Sequence, residues 1–162
     1  MDLLVEEVMR RNVATIAPDV TLPDLEKSFV SKGVSGFPVV ERGELVGLVS
    51  RSDIVRQLVW EQELAEATSD YYFDSDGFHE VPLVSFDAIA DRVGERVQRL
   101  TVGDVMSRAL LKAAPDHTLR QAAQTMADNG IHRLPVTHGD RLVGLLSSLD
   151  VVRLVANRRL KS

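Results

Sequence analysis

The chain has 162 residues, 44% hydrophobic and 27% charged, the balance of a water-soluble fold with one compact domain or two small ones. It has no cysteine, no apolar run near the roughly 18–20 residues of a membrane helix, and no signal-peptide pattern at Met1-Asp2-Leu3-Leu4, so thiol chemistry and a membrane span are excluded and a cytoplasmic protein is expected. The net charge of −5 argues against duplex nucleic acid held by phosphate contacts.

The chain opens with Val8-Met9, and Val13-Ala14-Thr15-Ile16 reads as a short strand ended by Ala17-Pro18-Asp19. Thr21, with Asp24 three residues on, starts a helix, and Leu22, Leu25, Phe29 and Val30 form its apolar stripe before Gly33 stops it. Phe37-Pro38-Val39-Val40 and Leu45-Val46-Gly47-Leu48-Val49 form a hairpin turning at Arg42-Gly43. A helix then runs from about Ser52 to Glu63 and continues past Trp60. Residues 61–95 carry ten acids and one base, a net −9 against +4 elsewhere. Within this acidic insert, Tyr71–Gly77 reads as a loop and Asp87–Val97 as an amphipathic helix.

The pattern of the first sixty residues then returns. At an offset of 97, Val8–Arg56 and Val105–Arg153 share 19 identities in 49 positions, by direct count, so the chain contains one unit twice. In the second copy Thr118 and Gln121 form a capping box, Leu119, Ala122, Ala123, Met126 and Ala127 are the helix stripe, and Gly130 is the stop. Its hairpin turns at Gly139-Asp140, and its last helix runs from about Ser148 to Arg159. The expected organisation is a first unit at 1–60, an insert at 61–100 and a second unit at 101–162. Each unit is β-α-β-β-α, and the two share a core in one α+β, pseudo-two-fold module with two equivalent clefts. Apolar helix faces at Leu58, Val59, Trp60, Leu154 and Val155 lead us to expect a homodimer.

Each unit ends in a strand that runs into a helix through Ser-x-x-Asp, at Ser50–Asp53 and Ser147–Asp150. One reading is a capping box with Asp in place of Glu. The other is a ligand site: a helix N-terminus favours phosphate, a serine hydroxyl adds a donor, and a carboxylate accepts both hydroxyls of a ribose. The readings are compatible.

Val8-Met9, Gly33-Val-Ser-Gly-Phe-Pro38-Val39 and Gly47-Leu-Val-Ser50-Arg-Ser-Asp53 resemble the motifs of tandem cystathionine β-synthase (CBS) domains, the Bateman module. So do Val105-Met106, Gly130-Ile-His-Arg-Leu-Pro135-Val136 and Gly144-Leu-Leu-Ser147-Ser-Leu-Asp150. About two thirds of the chain is covered; the insert is not. The resemblance implies regulatory binding of AMP, ADP, ATP or S-adenosylmethionine, a dimer of modules, and a regulated enzyme or transporter. It places ribose on Asp53 and Asp150 and phosphate near Ser50 and Ser147, and Arg51 is also counted as ligand-binding. Adenine is bordered by Val34, Ser35, Phe37 and Pro38, and by Ile131, His132, Arg133, Leu134 and Pro135. Met9 and Arg11, with Met106 and Arg108, close the clefts. Phe37 either stacks on adenine or lies in the core. His132 and Arg133, where the first copy has Ser35 and Gly36, are adjacent in an extended segment and point to opposite faces. From the resemblance, His132 is assigned to the cleft of Asp150, as a pH-dependent cation, and Arg133 to that of Asp53.

Nothing in the residues calls for an enzyme. His79, His117, His132 and His138 form no metal-ligand spacing. Asp74-Ser-Asp76-Gly77 has its glycine too early for a calcium loop, and no Gly-x-Ser-x-Gly or phosphate-binding P-loop occurs. The alternative to a nucleotide sensor is a ligand-free module that dimerises or docks a partner.

Overall fold

In the computed structural model, residues 2–68 and 95–157 are described. The elements are a 3-10 turn at Val5–Glu7, α1 (Leu22–Lys32), β1 (Gly36–Glu41), β2 (Glu44–Ser50), α2 (Arg51–Thr68), α3 (Glu95–Arg99), α4 (Val102–Val105), α5 (Leu119–Asn129), β3 (Arg133–His138), β4 (Arg141–Ser147) and α6 (Ser148–Ala156). The fold is α+β, with the strands in the order β1-β2-β4-β3. The helix expected past Trp60 continues to Thr68. The Tyr71–Gly77 loop and most of the Asp87–Val97 helix lie outside the described residues.

Local sequence accounts for the element ends. Thr21 accepts from the Asp24 amide at 3.4 Å to start α1, and Thr118 and Gln121 cap α5 reciprocally. Gly33 and Gly130 end these helices at φ of 62° and 61°, a left-handed conformation that costs glycine little. The amides of Val34 and Ile131 then reach back to the carbonyls of Phe29 and Met126. Arg42 and Gly43, at φ of 51° and 82°, make the tight turn between β1 and β2.

The strands expected to lead each unit are shorter than the sequence suggests. Ile16 is a single bridged residue, and Ala113 is its counterpart, bridged in parallel to Val136. The Ala113 amide donates to Pro135 and its carbonyl accepts from Thr137, each at 2.9 Å. Two residues further on, Pro115 has no N–H with which to extend a ladder.

By contact the chain divides into two bodies, Met1–Thr15 with Pro38–Gly47 and Arg108–Ser162, and Ile16–Phe37 with Leu48–Ser107. In the first, the amino-terminal segment joins the later copy. Leu4 bridges Thr118, the Val5 amide donates to His117 at 2.9 Å, and Arg10 and Leu145 exchange two 2.9 Å bonds. Val5 and Met9 are thus buried with Ala113, Leu119, Ala122, Met126, Leu134, Val136 and Leu146. In the second, Thr21 bridges Thr101, and Val102 and Gly103 donate to Val20 and Pro18 at 2.8 Å. Leu22, Leu25, Phe29, Phe37, Val49, Ile54, Leu58 and Val102 are its most buried large side chains.

Gly144 lets the amino-terminal segment lie on β4. A Cβ there would stand 2.5 Å from Met9 Sδ and 3.0 Å from the Arg10 carbonyl oxygen. The methionine can swing away; the backbone, held by the Arg10–Leu145 bonds, cannot. Gly144→Ala is therefore expected to destabilise the protein by about 1–3 kcal/mol, read by urea unfolding. An unchanged midpoint would show that the segment moves freely.

Candidate ligand sites at the strand-to-helix junctions

Each Ser-x-x-Asp sits where a strand becomes a helix. At the β4–α6 junction, Ser147 has extended backbone (φ −111°, ψ 156°) and caps the helix. Its hydroxyl accepts from the Asp150 amide at 3.2 Å. Asp150 Oδ2 in return accepts from the Ser147 amide at 3.0 Å and hydroxyl at 2.7 Å. Oδ1 is held from far along the chain: Arg10 donates to it through Nε at 3.3 Å and Nη2 at 3.2 Å. Asp150 is 9% exposed, so little water competes for it.

The β2–α2 junction repeats the scheme with a local arginine. Asp53 Oδ2 accepts from the Ser50 amide at 2.8 Å and hydroxyl at 3.1 Å, and Oδ1 accepts from Arg56 Nη2 at 2.6 Å. The Ser50 and Ser52 hydroxyls lie 2.8 Å apart. Both aspartates therefore use one oxygen for the helix start and give the other to a guanidinium. The full reciprocal cap is made at Ser147–Asp150; at Ser50–Asp53 the aspartate holds the Ser50 amide and hydroxyl, and at both junctions Oδ1 is held by a donor that can move.

The glycine-to-proline segments are tied to these junctions by backbone. The Ser148 amide donates to the His132 carbonyl at 2.9 Å, and the Arg51 amide to the Ser35 carbonyl at 3.1 Å. Ile131–Pro135 is thereby set beside Ser147–Asp150, and Val34–Pro38 beside Ser50–Asp53. His132, Arg133 and Ser35 are exposed, Ile131 and Val34 half-buried, and Leu134, Pro135 and Pro38 buried. Phe37 is a core residue, its ring stacked on Phe29 at 5.3 Å and 17°. Arg51 lies 5.6 Å over the other aromatic of this pair, Phe29, and 3.7 Å from Glu26.

Met9 and Met106 are buried, at 8% and 9% exposure, and Arg11 and Arg108 are exposed. In this stretch it is Arg10 that reaches an aspartate, while Arg11 Nη2 donates to the Glu6 carbonyl at 3.2 Å. Arg10 and Arg56 are the site residues that motif reading passed over. The signal for Arg56 was local, since it lies three residues after Asp53 on a helix. Arg10 and Asp150 are 140 residues apart, and no spacing rule connects them.

Burial raises the Asp150 pKa, but the Ser147 hydroxyl and amide and the Arg10 guanidinium together outweigh it and hold the carboxyl below its ordinary value of 3.8. A carboxyl depressed by folding stabilises the protein above its unfolded pKa and loses that contribution as pH falls through the folded one. Asp150→Asn is expected to cost about 1–2 kcal/mol at pH 7 and to flatten the fall in melting temperature below pH 4. An acid limb identical in the two proteins would remove Asp150 from this role.

A family model for the CBS domain matches residues 5–59 and 102–157, more than half of the chain. The chain belongs to the CBS-domain family. Both copies of the repeat are CBS domains, and both strand-to-helix junctions fall inside the matched regions. The uncharacterised protein MJ1426 of Methanocaldococcus jannaschii is 31% identical over 93% of this chain and 89% of its own length. MJ1225 of the same organism is 26% identical over 94% of this chain, but the chain spans only 43% of it. Among solved structures, CBSX2 in complex with AMP is 25% identical, with a TM-score of 0.68 and coverage of 98% of this chain and 99% of that one.

Proposed function

We propose that this CBS-domain chain is a regulatory module that binds an adenosine-bearing small molecule at Ser50–Asp53 and Ser147–Asp150. AMP, ADP, ATP and S-adenosylmethionine are the candidates, and AMP leads because CBSX2 was solved with it. The observation that carries the reading is the state of Oδ1 on each aspartate. The helix cap holds Oδ2 in place, so the carboxylate keeps its orientation while Oδ1 exchanges partners. A ribose offers two hydroxyl donors to Oδ1 in place of Arg10 or Arg56. The displaced guanidinium becomes a forked donor for the phosphate of the same nucleotide. The unpaired amides of a helix start favour that charge further. Adenine lies along Ile131–Pro135 or Val34–Pro38, which the backbone holds against the junctions. Arg11 and Arg108 close the clefts from the starts of the two units. His132 serves the Asp150 site. The bound state is reported to an enzyme or transporter, attached or separate.

A thermal-shift screen of the full chain with AMP, ADP, ATP, S-adenosylmethionine and NAD tests this. A ligand of the folded state alone adds about 2.7 kcal/mol at a hundredfold excess over its Kd. At least one adenosine compound is expected to raise the melting temperature, and Asp53→Ala with Asp150→Ala to abolish the rise. No shift from any compound at millimolar concentration would overturn the proposal. It would favour a ligand-free docking module, a reading supported by the internal arginines that already satisfy both aspartates.

Under either reading we propose a homodimer. Val55 and Val59 on α2, and Leu149, Val152 and Val155 on α6, are 40–58% exposed, a large apolar content for two surface helices. A closed two-fold pairing buries such faces. Light scattering at micromolar concentration should give about twice the chain mass of 17.9 kDa. A mass near 18 kDa would contradict the dimer.

A further inference from the structure

We infer that the cleft between Arg11 and Arg141 is an oxyanion-binding site, distinct from the two aspartates at the strand-to-helix junctions and sharing Arg11 with the proposed adenosine clefts. The cleft encloses about 200 Å³, room for a phosphate-sized group, and lies wholly within the first body. Two guanidinium-bearing side chains line it, with Thr15 adding a hydroxyl and Val13 and Val143 an apolar wall.

Arg141 is the less expected of the two. It opens β4, and the ladder places it directly opposite Glu44 on β2. Directly opposed side chains in an antiparallel pair project to the same face, so an Arg–Glu ion pair is the expected outcome. Among the described residues Arg141 makes no ion pair with Glu44 or any other carboxylate. Its guanidinium lies along the turn instead: a Cβ on Gly43 would stand 3.2 Å from Nη2. The neighbouring acid, Asp140, is taken by Lys112 at 3.6 Å. Arg11 is anchored by one bond to the Glu6 carbonyl and keeps its remaining N–H groups.

Two like charges therefore line one concavity, and among the described residues no carboxylate is paired to either. An oxyanion relieves that repulsion and accepts from both forks, the geometry guanidinium favours for phosphate and carboxylate. Both arginines are exposed, so binding should be weak and should fall with added salt. The shared chemistry is a phosphoryl or similar oxyanion, either free or at the end of a larger molecule.

The test is a titration of the ¹⁵N-labelled full chain with inorganic pyrophosphate. Saturable shifts are expected at the amides of Arg11, Gly43, Arg141 and Gly144. Affinity should fall about tenfold in Arg11→Gln and in Arg141→Gln, the loss of one charge-assisted hydrogen-bonding partner, and stay unchanged in Lys112→Gln. Both arginine variants change exposed side chains, and equal melting temperatures will show that they are folded. An AMP arm identifies the source: shifts at the same amides, competed by pyrophosphate, point to a nucleotide's phosphate, and their absence to a free oxyanion. No saturable shift, shifts confined to residues 50–53 and 147–150, or an equal loss in Lys112→Gln would overturn the site.

Discussion

A nearly buried carboxylate needs a partner for each oxygen, and both ends of this protein's chemistry follow from how Asp150 finds them. Left unpaired at 9% exposure it would be costly. Oδ2 is satisfied by Ser147 three residues back, which at the same time closes the free end of α6. Oδ1 is satisfied by Arg10, which requires the amino-terminal segment to cross onto β4. That crossing needs Gly144, because the Arg10 backbone lies where a side chain would be. One carboxylate thus links a helix cap, a chain crossing and a glycine.

Asp53 solves the same problem differently. Its guanidinium comes from Arg56, one turn along its own helix. An arginine three residues further on is present in the second copy too, as Arg153, yet there Asp150 is reached by Arg10. At both junctions Oδ2 is held by the serine three residues back, and the two differ in the arginine that holds Oδ1. Releasing Arg56 asks only for a side-chain rotation on α2. The Arg10 contact, by contrast, is made by the amino-terminal segment, so under the proposed binding its release would loosen that segment.

Much of this was legible before any coordinates. The duplication, the threonine caps, the glycine stops and the Arg42-Gly43 turn are local, and local rules read them directly. The Ser-x-x-Asp junctions were legible as helix starts, with the full reciprocal cap realised at Ser147–Asp150. Other features were not legible. The leading strands shrank to single bridged residues because Pro115, like Pro18, follows too soon for a ladder to grow. Phe37 could have faced a ligand or the core, and only its stacking on Phe29 decides. The role of Arg10 depends on a 140-residue separation that no periodicity reveals. That Arg141 makes no ion pair with Glu44 is likewise invisible in the sequence, since their opposition depends on a cross-strand register.

The central claim is that the second oxygen of each capped aspartate exchanges its arginine for a ribose. Calorimetric titration with AMP and with its 2′,3′-dideoxy analogue tests this most directly, because the two share adenine and phosphate and differ only in the hydroxyls that the carboxylate accepts. The account predicts binding of the analogue weakened about tenfold or more, since it leaves a desolvated carboxylate oxygen without its donors. Equal affinities for the two compounds would contradict it.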